Sequence, residues 1–116
     1  MSIFSNSDSS QAFDIEEMAM QIISYAGEGK FKVRAAVEAF ANGDDATYID
    51  LMDQAEKEFT EAYRAQVSYL QQQAIRQDAN THILLVHAMD ILMNAMNERE
   101  LLMTLFKTFQ ARGLLK

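Results

Sequence analysis

From residue 15 to residue 40 the apolar side chains recur three and four positions apart: Ile15, Met18, Ala19, Ile22, Ile23 and Ala26, then Val33, Ala36, Val37 and Phe40. That stepping follows the 3.6-residue turn and predicts a first helix. Asp14 and Glu17 have the spacing of a capping box and mark its start. Gly27-Glu28-Gly29 interrupts the helix at about 1 kcal/mol per glycine relative to alanine, which fits either a bend or close approach of another backbone, or a tolerated weak spot. Asn42-Gly43-Asp44 supplies a left-handed stop followed by a fresh N-cap, hence a tight turn. Residues 1–12 are serine-rich and aperiodic. They read as a mobile N-terminal tail, leaving 13–116 as the folded domain.

A second stripe follows, through Tyr48, Leu51, Met52, Ala55, Phe59, Ala62, Tyr63 and Leu70, with Gln66 as the one polar step on that face. A lone glutamine in such a stripe reads as a hydrogen-bonded core amide. The period fades over QQQAIRQDANT, where Asp78, Asn80 and Thr81 can turn the chain and cap a third helix running to about Arg112, with Gly113 as its stop. With no proline and no alternating strand pattern, the fold class is all-α: an antiparallel three-helix bundle. No internal repeat is present.

The third helix departs from the pattern of the other two. Over LLVHAMDILMNAMN, residues 84 to 97, apolar side chains cover roughly 220° of the circumference, whereas a helix in a three-helix monomer needs an apolar stripe of about 100° to 140°. Other subunits are expected to cover the excess, placing the third helices near the centre of an oligomer. The remaining sector, roughly 80° wide, holds His87, Asp90, Asn94 and Asn97. Burial of an ionised carboxylate costs several kcal/mol, against a gain of roughly 1.5–3 kcal/mol for an aliphatic side chain in its place, so Asp90 calls for a use or a partner. Copies of Asp90 near a symmetry axis would need a cation or shared protons. An i, i+3 ion pair with His87 is the plain alternative. His87 alone would read as a bonded core imidazole. His82, beside Thr81 at the helix entrance, reads as a surface residue.

Composition narrows the chemistry. A chain of 116 residues is one domain. Its net charge of −7 and sequence pI near 4.7 argue against a nucleic-acid backbone as the ligand, since phosphate neutralisation needs Lys and Arg. The absence of cysteine removes disulfides, thiolate catalysis and zinc-thiolate sites. The opening MSIFSNSDSS lacks the basic start and apolar run of a signal peptide, and no segment has about 18 uninterrupted apolar residues. The expected setting is the cytoplasm, without membrane insertion.

VHAMDILM resembles the His-Gly/Ala-Gln-Asp-His-Leu-Met motif of the lactose/cellobiose family of sugar phosphotransferase IIA components. IISYAGEGKFKVRAAVEAFANGD is similar to that family's first helix and turn, and EAYRAQ to its Ala-His-x-x-Gln segment. The resemblance implies a homotrimer of three-helix subunits. In it His87 accepts a phosphoryl group from the phosphocarrier HPr and passes it to a cysteine of the sugar-specific IIB component. Asp90 matches the aspartate that clusters around a divalent ion, Mg2+ here, between subunits. Met89 stands for the motif glutamine, Ile91 for its second histidine and Tyr63 for the histidine of the second-helix segment. Met89 occupies a phosphoryl-site position without a donor to offer, and the retained Gln66 is the candidate to supply one. Two further readings fit the same residues: a regulatory or assembly trimer without transfer, and a metal-dependent structural trimer with His87 and Asp90 as ligands.

Overall fold

The computed structural model describes residues 3–75 and 83–114, with side chains described over 15–74 and 83–114. The described residues form three helices: α1, Ile3–Ala41; α2, Asp45–Ile75; and α3, Ile83–Ala111. The expected three-helix bundle is the architecture observed. The core joins Ala19, Ile22, Ala26, Val33 and Ala36 of α1 with Met52, Ala55, Phe59 and Ala62 of α2 and Leu85, Ala88, Leu92 and Ala95 of α3. Seven of these thirteen side chains are alanines, so the helix axes can approach closely, and Ile22, Met52, Leu92 and Phe59 supply most of the volume. Burial of each such large side chain stabilises the fold by about 1.5–3 kcal/mol.

Sequence and structure agree at the two helix ends that the glycines mark. Gly43 has φ 77°; its N–H donates to the Phe40 carbonyl (3.0 Å) and that of Asp44 to the Ala39 carbonyl (2.9 Å). Those are the two hydrogen bonds of a Schellman stop. Gly113, at φ 71°, repeats the arrangement with Leu114 N–H donating to Phe109 O at 2.9 Å. Asp44 then caps α2: Thr47 donates to its carboxylate through the amide (3.2 Å) and the hydroxyl (2.6 Å). These two bonds, the hydroxyl's first, hold the Asp44 carboxyl below its ordinary value.

The start of α1 differs from expectation. The helix begins at Ile3, so Asp14 and Glu17 lie in its interior and the stretch read as a tail is continuous with it. No glycine or proline lies between Ile3 and Asp14, and adding residues to an existing helix fixes one residue per new hydrogen bond. Asp78, Asn80, Thr81 and His82 lie outside the described residues.

Helix pairing follows from a few specific contacts. Lys32 Nζ meets Glu58 Oε1 at 2.7 Å, and the ring of Phe59 fills the space that a side chain at Gly29 would take. Both join α1 to α2. Phe40 stacks on Phe106 at a centroid distance of 4.4 Å, with Tyr48 edge-on to Phe40 at 5.2 Å. Between α2 and α3, the mostly buried Arg99 donates from Nε to the Met52 carbonyl at 2.9 Å. Of the two alternatives for the glycine pair, Gly29 admits a neighbouring side chain and Gly27, with nothing within 4 Å of a Cβ placed there, is not needed by the packing.

Candidate functional site

The buried side chains of α3, Leu85, Ala88, Leu92 and Ala95, form a narrow stripe spaced three, four and three. His87, Asp90, Asn94 and Asn97 repeat that spacing roughly 160° around the helix, and all four are exposed. The titratable pair expected in a buried setting is therefore on the outer surface of the subunit. Helical geometry forces this: a residue two positions from a buried one is turned about 200° away.

His87 and Asp90 are one turn apart on this strip, yet among the described residues neither makes a hydrogen bond or ion pair with the other. The i, i+3 ion pair, the plain alternative for Asp90, is therefore absent among the described residues. Nor do the described residues of one subunit contain any group of three or more His, Cys, Asp or Glu able to hold a metal ion. A single subunit thus contributes one carboxylate, Asp90, and one imidazole, His87, with open access to solvent.

The supporting residues fall elsewhere. Gln66 is buried at 8 % exposure, but its Oε1 has no hydrogen-bond partner among the described residues, which departs from the bonded amide that the sequence suggested. Met52 and Arg99 fix the register of the antiparallel pair α2 and α3. Fourteen residues onward from Met52 is Gln66 and fourteen back from Arg99 is Leu85, so Gln66 lies on the buried face of α2 near the level of Leu85 and His87. Gln66 is buried while His87 is exposed. Met89 and Ile91 are half-buried and pack against the core. A thioether and an alkyl group have no proton to donate to a phosphoryl oxygen. Tyr63 and Leu70, counted with the core stripe of α2, are exposed instead, at 45 % and 39 %, because α3 covers only part of that face.

Among the described residues, one subunit therefore presents the exposed imidazole of His87 on a polar strip with Asp90, Asn94 and Asn97. Residues 17–110 match the family described as the lactose/cellobiose-specific IIA subunit of the sugar phosphotransferase system. The chain belongs to this family. It is 31% identical over 97 residues to the N,N'-diacetylchitobiose-specific EIIA component of Escherichia coli (strain K12), covering 84% of each chain. Its fold is similar to that of the cellobiose-specific enzyme IIA from Bacillus anthracis, with TM-score 0.72 and 28% identity over 84% of this chain and 92% of that one. It is also similar to a chain in the solution structures of the IIA(chitobiose)–HPr complex of Escherichia coli, with TM-score 0.69 and 29% identity over 85% of this chain and 96% of that one. The motif positions through which the sequence resembles the family lie within the matched span. This IIA chain also has, among its described residues, no helix long and apolar enough to cross a membrane.

Sequence reasoning missed one feature of the surface. Phe31 of α1 is 71% exposed, the signal being its position out of phase with the core stripe, between Lys30 and Lys32.

Proposed function

We propose that this IIA component is a cytoplasmic phosphocarrier in which His87 accepts a phosphoryl group from HPr and passes it to a IIB component, for uptake of a lactose-, cellobiose- or chitobiose-type sugar. The observation that carries the reading is the exposed imidazole of His87, at the histidine position of the family motif, in a chain similar to one solved with HPr. A neutral imidazole nitrogen attacks phosphorus with its lone pair, while the bond from phosphorus to the donor breaks and its electron pair returns to the donor. Transfer onward to the cysteine of IIB reverses the roles. Such chemistry asks a protein chiefly for alignment and for compensation of charge. An exposed ring can meet two partner proteins in turn, and the donors that one subunit lacks then come from a partner or a neighbouring copy.

The working form is a homotrimer with α3 near its centre. Supporting this, the outer side of α3 leaves Ile83 at 85 % and Leu101 at 67 % exposure, with Val86, Met93 and Leu105 also exposed. In the trimer the Asp90 carboxylates of three chains would be the ligands for a divalent cation such as Mg2+, a hard ion that takes oxygen ligands. The fit is conditional on assembly, since each chain brings one such carboxylate. The ion's contribution is to compensate their charge. Sedimentation should give three times the chain mass. Loss of the trimer on chelation, restored by Mg2+, would support the ion; a trimer indifferent to both would exclude it.

The decisive experiment mixes the protein with phosphoenolpyruvate, the general phosphotransferase enzyme and HPr. Mass spectrometry should show an acid-labile gain of one phosphoryl group, abolished in His87→Ala. No gain by the wild type, or an undiminished gain by the variant, rejects the carrier function. With HPr still binding, the first outcome would favour a regulatory or assembly trimer, the reading that the apolar packing of Met89 and Ile91 recommends.

A further inference from the structure

Tyr63 is 45 % exposed and sits on the side of α2 that turns toward α3. Glu56, seven residues earlier and about 20° away round the helix, reaches Arg99 of α3. Glu58, which reaches Lys32 of α1, is about 140° away. The ring therefore stands in the groove between α2 and α3, one turn beyond Phe59, which lines that groove with Met93 and Met96. Among the described residues the Tyr63 hydroxyl has no hydrogen-bond partner. Its level along the bundle is close to that of His87: the Arg99–Met52 bond sets the register of α2 against α3, and eleven residues onward from Met52 is Tyr63 while eleven back from Arg99 is Ala88. The two side chains lie within about one turn of each other, roughly 5.4 Å along the axis.

Within one subunit the two are on opposite flanks of α3. Phe106 and Phe109 face α1, and Met93 and Met96 face the groove with α2. His87 lies about 40° beyond Phe109, on the α1 flank, and Val86 about 20° beyond Met93, on the α2 flank, with Asp90 between them on the outer face. A threefold axis running beside α3 changes this relation. Rotation about it leaves every level unchanged and repeats one contact head to tail, so the α1 flank of α3 in one chain meets the α2 flank of α3 in the next. With Asp90 turned to the axis, His87 of one chain faces the side of its neighbour that carries Val86 and, across the groove, Tyr63.

We propose that Tyr63 of the neighbouring chain is the phosphoryl-site donor for His87, its hydroxyl donating to an oxygen of the phosphoryl group as that group arrives on the ring and leaves it. This rests on the trimer and the carrier function proposed above. The residues beside His87 on its own helix do not serve: Met89 and Ile91 have no proton to offer. Gln66 is on the buried face of α2, whereas the exposed phenol is one turn away on the same helix and at the edge of the groove. A hydrogen bond to a charged oxygen is roughly twice as strong as one between neutral groups, and a donor already fixed on a helix needs no reorganisation as charge shifts during transfer. The hydroxyl keeps its proton throughout; phosphorus exchanges one bond for another as described above.

The test measures the initial rate of HPr-dependent phosphorylation of the full chain against HPr concentration. Tyr63→Phe, which keeps the ring and removes only the hydroxyl, should lower the maximal rate by about ten- to hundredfold, the size expected of one donor to a charged oxygen, with the HPr concentration for half-maximal rate little changed and the trimer intact in sedimentation. Mixed trimers then show which chain supplies the phenol. Tyr63→Phe and His87→Ala are co-expressed with different tags and purified through both, so that in every trimer at least one intact His87 borders a chain with an intact Tyr63. These trimers should regain a phase of phosphorylation at the wild-type rate, although neither variant alone has it. A wild-type rate in Tyr63→Phe overturns the proposal and leaves the carrier function standing. A slow variant that mixing does not rescue places the phenol's action within its own subunit and equally overturns it, as does loss of the trimer in Tyr63→Phe, which would assign the side chain to assembly. If the wild type takes up no phosphoryl group, the carrier function fails and the donor role fails with it.

Discussion

Replacing each helical glycine of α1 by alanine separates what the packing demands from what it merely permits. In Gly27→Ala the new methyl meets nothing, so only helix propensity changes and the variant should gain about 1 kcal/mol. For a chain of this size that raises the midpoint of thermal unfolding by roughly 3–6 °C. In Gly29→Ala the same propensity gain is opposed by Phe59, whose ring must retreat by about 1 Å to restore ordinary contact. Phe59 is 2% exposed and has no room to swing outward; overpacking of this kind costs about 1–3 kcal/mol. The net result ranges from neutral to about 2 kcal/mol destabilised, so the two variants should differ by about 1–3 kcal/mol. Urea unfolding at one fixed protein concentration measures both, the fixed concentration removing any contribution from assembly. In a Phe59→Leu background the penalty at Gly29 should shrink while the gain at Gly27 persists, an interaction energy that a double-mutant cycle isolates. Equal shifts at the two glycines would refute the packing account of Gly29, and a loss of stability at Gly27 would show that its surroundings are not open.

Other contacts give sharper or weaker effects according to their burial. Arg99→Met keeps the aliphatic stem but removes the bond to the Met52 carbonyl, and should destabilise by about 1.5–3 kcal/mol in the same unfolding assay. Glu56→Gln should change stability by less than about 0.5 kcal/mol, since Glu56 is exposed and its 3.4 Å contact with Arg99 is long. The partly buried Lys32–Glu58 pair should show a coupling of about 0.5–1 kcal/mol in a double-mutant cycle, decreasing in 1 M salt. For Asp44 the pH sign is fixed: its folded-state pKa is depressed, so the capping contribution is fully present above the ordinary carboxylate value of 3.8 and is lost as pH falls through the lower folded value. The unfolding midpoint of Asp44→Ala should therefore lie below the wild type's at neutral pH and converge with it in acid.

The local features were legible because local chemistry decides them. Only glycine adopts positive φ cheaply, so Gly43 and Gly113 announced two helix ends, and Asp44 announced the cap between α1 and α2. The three-and-four stepping of Ala19, Ile22, Ala26 and Val33 named the core face of α1 because side-chain direction repeats with the turn. The start of α1 was not legible from Asp14 and Glu17, because a capping pair allows a helix to begin without preventing one from continuing through it.

The sequence by itself determined three helices, the turn between α1 and α2 and a strip carrying His87, Asp90, Asn94 and Asn97, all properties of a few neighbouring residues. Only the tertiary structure decided which way each face points. It turned the His87 strip to solvent, buried Gln66 and left Tyr63 exposed. It also gave Gly29 a ring to accommodate while leaving Gly27 open. Periodicity tells which side chains share a face, but which face is covered depends on the register and rotation of neighbouring helices, and these are fixed by contacts such as Phe40–Phe106 and Arg99–Met52 between residues far apart in the chain.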